Sequence, residues 1–236
     1  MNWWFKILIP CFNLLLFCSC NQDQNPYWSA QNSVPKRYEY LALGDSYTIG
    51  QSVCESCRFP EQLKVALQSV FPRDSFRLKI IAQTGWTTTN LMNAIQSENL
   101  TSHYDLVTLL IGVNNQYQRQ PFSVYESEFP ALVTRAISLA KGNKSKVVVV
   151  SIPDYAYTPY GQGAANISSE IDSYNAFAAT YCHQNQIAFI NITDITQQGL
   201  LTPELVASDG LHPSALAYSK FVERILPIAR ERIAYE

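Results

Sequence analysis

The run from Asp105 to Ile111 is apolar at almost every position. A strand with one wet face alternates; one that is apolar at consecutive positions needs cover on both faces, as a central parallel strand has. Lys146–Ile152, with four valines in succession, repeats the pattern, and Tyr38–Leu43, Phe76–Ala82 and Ile187–Ile192 give three more strand candidates. Helical spacings fill the gaps between them. Leu63, Ala66, Leu67 and Val70 follow Pro60 at a helix start, and Leu91, Met92 and Ile95 follow a cap at Thr88 or Thr89. Longer helices are expected from Val124 to Lys141, from Ser168 to Gln184, and after Pro213, the last kinked by Pro227. This alternation predicts an α/β fold: a three-layer, doubly wound sandwich on a five-stranded parallel sheet.

In such sheets ligands bind at the carboxyl edge of the strands. The first strand is cut short there by Gly44-Asp45-Ser46, which predicts an exposed serine at a turn with its N–H pointing outward. A tripeptide of this kind, taken alone, is more often a plain turn with no chemistry. Ser208-Asp209-Gly210-Leu211-His212-Pro213, near the other end of the chain, changes the reading. A serine hydroxyl needs a base, and histidine has a suitable pKa. A carboxylate that fixes the ring's tautomer completes the set. Of the three histidines, His103, His183 and His212, only His212 has an acid three residues away across a glycine.

Together these blocks resemble the SGNH (GDSL-type) hydrolase family. The resemblance implies two further blocks, and both have candidates in family order: Gly85 in Gln83-Thr84-Gly85-Trp86 and Asn114 in Gly112-Val113-Asn114-Asn115. It implies a strand order of 2-1-3-4-5, a Ser46–His212–Asp209 catalytic triad, and an oxyanion hole formed by Ser46, Gly85 and Asn114. Asn115 stands where the family usually has aspartate, and is expected to support the turn holding Asn114 through local bonds to the backbone. No cofactor is implied.

The chain has 236 residues, 47% hydrophobic and 15% charged, with a formal net charge of −2. That suits one globular domain with a sizeable core, a monomer, and gives no electrostatic case for nucleic acid. Residues 1–19 read as a signal peptide: Lys6, an apolar stretch from Ile7 to Cys18, then an abrupt polar turn after Ser19-Cys20. The segment resembles a bacterial lipoprotein signal with Cys20 as the lipid anchor, although Phe17 stands where leucine is usual; an ordinary secretory signal cut nearby is the alternative. Residues 20–36 read as a polar tether and 37–236 as the hydrolase domain. The expected location is outside the cytoplasm, on the periplasmic or surface side of a bacterial membrane. In that oxidising setting Cys54-x-x-Cys57 is expected to form a local disulfide beside the site, and Cys182 to be a buried free thiol.

Fourteen tyrosines complete the picture. Tyr155 and Tyr160, in the irregular loop Pro153–Gly163, fall at the catalytic edge, as do Trp86 and Tyr117 beside the two oxyanion blocks. They are candidate substrate contacts, against the alternative that the loop packs on its own side chains. The expected activity is hydrolysis of glycan, lipid or small-molecule esters through an acyl-enzyme. Acyl transfer on the same scaffold and non-catalytic glycan binding at the cell surface are the rivals.

Overall fold

The structure is a computed structural model that describes Met1 and residues 34–234. The signal segment, Cys20 and the tether as far as Ser33 lie outside the described residues. The chain from Pro35 onward forms one compact unit.

Five strands form one sheet, β1 (Arg37–Gly44), β2 (Ser75–Ala82), β3 (Leu106–Leu110), β4 (Val147–Val150) and β5 (Ala188–Ile190). All neighbours are parallel and the order is β2-β1-β3-β4-β5. Every residue of β3 and β4 is buried, so the consecutive apolar positions are covered on both faces. At one edge of the sheet, β2 keeps Phe76, Leu78 and Ile80 half-buried while Arg77 and Lys79 stand exposed, a charged edge that discourages pairing with another sheet.

The helices are α1 (Ser46–Ile49), α2 (Phe59–Val70), α3 (Thr88–Ser97), α4 (Val113–Tyr117), α5 (Phe122–Leu139), α6 (Ala165–Gln184), α7 (Thr193–Thr196) and α8 (Ala215–Ala234). Pro60 occupies the first turn of α2, where its missing N–H costs nothing. The cap of α3 is Thr87 and not Thr88 or Thr89: Thr87 and Asn90 bond each other's backbone reciprocally. Thr88 and Thr89 are engaged elsewhere, both donating to Glu128 on α5. Helix α8 runs on past Pro227 to Ala234.

The register of the sheet positions the site. Gly44 pairs with Ala82 on one side and Leu110 on the other, so β1, β2 and β3 end level. The loops carrying Ser46, Gly85 and Asn114 therefore leave the sheet at one edge. The strand order reverses around β1, the topological switch point where open α/β sheets bind ligands.

Candidate active site

At the end of β1 the chain must turn sharply. A Cβ on Gly44 would lie 2.1 Å from Thr48 Oγ1 and 2.4 Å from the Leu110 carbonyl oxygen, so only glycine fits. Asp45 caps α1, its Oδ1 accepting the Tyr47 N–H at 3.0 Å. Its other oxygen has no hydrogen-bond partner among the described residues, and full burial pushes the carboxyl up to about 8 against the opposing Tyr47 bond. Ser46 is the first residue of α1 and is only 4% exposed. The sequence suggested an exposed serine in a turn; the loops that close over the sheet edge place it at the bottom of a pocket instead.

Asp209 organises the opposite wall. Its Oδ1 accepts the backbone N–H groups of Leu211 and His212, each at 3.0 Å, which folds the loop into a tight turn with Gly210 at φ 73°. Its Oδ2 lies 2.6 Å from His212 Nδ1. Ser52, which the sequence did not single out, donates its hydroxyl to the same Oδ2 at 2.6 Å. Partial burial opposes ionisation of Asp209, but the Ser52 hydroxyl, the two N–H donors and the His212 ring hold the carboxyl well below the usual range. Ser52 sits at φ 66°, two residues before Cys54, and Cys54 is disulfide-bonded to Cys57. The expected bridge is present, and it cross-links the segment that begins two residues beyond Ser52. Cys182 is the buried free thiol, pushed up to about 12 by desolvation.

The third wall joins α4 to the loop after β2. Gly85 has φ 83°, a left-handed conformation that favours glycine. Its carbonyl accepts from Gln118 Nε2 at 2.8 Å, while Asn114 Nδ2 donates to the Trp86 carbonyl at 3.0 Å. One N–H of the Asn114 amide is thus held and the other remains for a ligand. Asn115 is fully buried and supports α4 by a long-range contact, not the local one expected: its Oδ1 accepts the Thr88 N–H at 3.0 Å and its Nδ2 donates to Thr88 Oγ1 at 2.7 Å.

Ser46, His212, Gly85 and Asn114 line one cavity of about 170 Å³, with Tyr47, Val113 and Leu211 as its apolar walls and Tyr117 and Tyr155 at its side. Tyr155 is 5% exposed and is fixed by its hydroxyl bond to Gln116 Oε1 at 2.8 Å, so part of the aromatic loop does pack on the protein. Tyr160 lies outside this cavity and joins it through Tyr117, their hydroxyls 2.7 Å apart. The Trp86 ring lines neither this cavity nor its larger neighbour; it packs against the core, and only its carbonyl reaches the site. Among the described residues no cluster of His, Cys, Asp and Glu is placed to hold a metal ion.

The sequence model of the GDSL-like lipase/acylhydrolase family matches residues 42–220. The chain belongs to that family, the SGNH/GDSL ester-hydrolysing serine hydrolases. Among solved structures it is similar to a variant of Axe2, an acetyl xylan esterase from Geobacillus stearothermophilus, at 18% identity and a TM-score of 0.65 over 83% of this chain and 96% of that one. It is also similar to a lipase/acylhydrolase from Enterococcus faecalis, at 17% identity and a TM-score of 0.67 over the same shares. A member of the lipolytic G-D-S-L family from Veillonella parvula matches at 16% identity and a TM-score of 0.61, over 80% and 97%. These likenesses establish the shared fold. No curated protein sequence matches.

Proposed function

We propose that the protein cleaves short-chain acyl esters through a covalent acyl-enzyme on Ser46. The observation that carries this is the 2.6 Å bond from Asp209 to His212 Nδ1 beside a cavity that Ser46, Gly85 and Asn114 also line. With Nδ1 committed to Asp209, Nε2 is the nitrogen free to act as base. It takes the Ser46 proton as Oγ attacks the ester carbonyl, and the carbonyl electrons move onto oxygen. The backbone N–H groups of Ser46 and Gly85 and the second N–H of Asn114 hold that oxyanion. The carbon–oxygen bond to the alcohol then breaks as His212 returns the proton to the departing oxygen. Water repeats the sequence: His212 takes its proton, the acyl carbon is attacked, and Ser46 is regenerated as the acid leaves.

The size of the cavity supports a short acyl group. At about 170 Å³ it falls below the roughly 300–1,000 Å³ of drug-sized ligand sites, and its largely apolar wall, Val113 and Leu211 included, suits a small hydrocarbon group. Similarity to an acetyl xylan esterase supports acetyl esters, carbohydrate esters included, as substrates. The N-terminal sequence supports export and a lipid anchor at Cys20, and the Cys54–Cys57 disulfide suits an oxidising compartment.

Hydrolysis of 4-nitrophenyl esters of increasing acyl length tests the reading. The expected result is the highest kcat/KM at acetyl or propionyl, a steep decline by octanoyl, and loss of activity in Ser46→Ala. A preference for octanoyl would contradict the short-acyl assignment.

A further inference from the structure

Next to the catalytic cavity lies a much larger one of about 910 Å³, and Tyr117 and Tyr155 line both. Its volume is at the upper end of the range for small-molecule sites. A short-acyl esterase has no use for such a space on the acyl side, because the acyl group already has its own pocket at Ser46. The alcohol half of the ester is what remains to be held, and the shared tyrosines put the large cavity within reach of it.

The chemistry of the walls narrows the occupant. Tyr117 and Tyr160 are 48% and 52% exposed, and their hydroxyls bond at 2.7 Å, which joins the end of α4 to the loop after β4 as an open aromatic platform. Around it stand the amide-bearing Gln120 and Asn166, together with Arg119 and Glu170, while Phe122 and Ile167 add apolar surface, so the wall is about half polar. Arg119 is held at φ 56°, a left-handed conformation that a non-glycine residue adopts at some cost. Glu170 accepts from Gln116 Nε2 at 2.7 Å, and Gln116 in turn accepts from Tyr155, so the wall is tied back to the catalytic cavity. A long alkyl chain would leave these amides and charges facing hydrocarbon. A phosphorylated alcohol would meet the Glu170 carboxylate, and a cationic one would meet Arg119. A sugar fits: its C–H face can lie on a tyrosine ring while its hydroxyls reach amide, guanidinium and carboxylate groups.

We propose that this cavity is a glycan subsite that binds the sugar rings of an acylated carbohydrate while its acyl group sits at Ser46. The proposal rests on the esterase reading above and names the alcohol that reading leaves open. It makes Tyr160 and Arg119 residues that determine specificity, since both line the large cavity and neither lines the catalytic one.

The test compares esters with the same acyl group and different alcohols. Monoacetylated methyl glycosides of glucose, xylose and N-acetylglucosamine are each assayed beside the corresponding monoacetylated trisaccharide, with 4-nitrophenyl acetate as reference. In at least one series the wild-type protein should show kcat/KM tenfold or more higher for the trisaccharide. Tyr160→Ala and Arg119→Ala should each cut that advantage to about twofold, mainly through KM, and Ser46→Ala protein should bind the unacetylated trisaccharide in calorimetry. No trisaccharide advantage in any series overturns the subsite while 4-nitrophenyl acetate turnover leaves the esterase reading standing. An advantage that survives both substitutions also overturns it. Should Tyr160→Ala instead abolish a preference for octanoyl over acetyl esters, the cavity takes the acyl chain and the glycan assignment falls. The esterase reading fails separately, if Ser46→Ala keeps its 4-nitrophenyl acetate activity.

Discussion

Ser52 donates to Asp209 Oδ2 at 2.6 Å across 157 positions of sequence, sharing that oxygen with His212 Nδ1. The loop after the proposed nucleophile therefore braces the carboxylate of the base. Ser52→Ala and Ser52→Gly should both lower kcat about three- to tenfold with KM nearly unchanged, the about 0.7–1.4 kcal/mol of an ordinary single hydrogen bond, because this one is exposed and Asp209 keeps its other donors. Glycine relieves the left-handed backbone at this position, so the glycine variant should be the more heat-stable of the two. Steady-state kinetics with melting curves checks this; full activity in the glycine variant would show that the hydroxyl does not matter.

The disulfide closes a very short loop, with Cys54 and Cys57 three residues apart. Loop-closure stabilisation grows with loop length, so the bridge should add little to global stability. Cys57→Ser is expected to leave Tm within a few degrees of wild type and to lower kcat less than Ser52→Ala does, because the bridge stiffens the chain next to Ser52 but the Ser52 hydroxyl stays. Loss of Tm with kcat intact would show that the bridge serves the fold and not the site.

Asn115 explains its own departure from the aspartate usual in the family. Thr88 Oγ1 gives its proton to Glu128 Oε2 at 2.5 Å and accepts from the Asn115 amide, a donation that an ionised aspartate could not make. Asn115→Asp is therefore expected to lower Tm and weaken activity, contrary to the near-silence that local support alone would imply. Glu128→Gln can reverse the direction of the Thr88 bond, and the double variant should recover much of the lost Tm. Additive effects in this cycle would mean that the Thr88 proton does not link the two residues.

Asp45 carries a pH dependence. Burial raises its carboxyl to about 8, whereas an unfolded chain titrates near 3.9. Between those values the unfolded chain has released a proton that the folded chain keeps, so this residue's contribution to stability falls as pH rises through the window. Asp45→Asn keeps an oxygen to accept from Tyr47 and has no proton to lose. The difference in Tm, variant minus wild type, should grow in the variant's favour from about pH 5 to about pH 8.5. A difference that is flat with pH would contradict the buried neutral carboxyl.

The parts of this architecture that sequence revealed are those encoded locally. The runs at β3 and β4 became buried central strands because consecutive apolar residues need cover on both faces, and the alternating pattern of β2 became an edge strand with one wet face. Asp209 and His212 were readable because three residues and a glycine suffice to bring them together. Ser52, Gln118 and the Thr88–Glu128 pair were not, since each acts on a partner brought close only by the fold. The cap of α3 was misplaced for the same reason: Thr88 and Thr89 have good capping chemistry, but tertiary contacts claim their hydroxyls and leave Thr87. Burial of Ser46 depended on loops closing from three directions, which no local pattern records. Trp86 shows the converse, an aromatic residue beside the site whose backbone and not its ring takes part.

Labelling with a fluorophosphonate, followed by peptide mass spectrometry, tests the central claim most directly, because the reagent is attacked by an activated serine as an ester would be. The account requires one phosphonyl group per chain, attached to Ser46, with loss of 4-nitrophenyl acetate hydrolysis in proportion to labelling, and no reaction in Ser46→Ala or His212→Ala. Hydrolysis that survives complete labelling of Ser46, or a label placed on another residue as activity disappears, would contradict it.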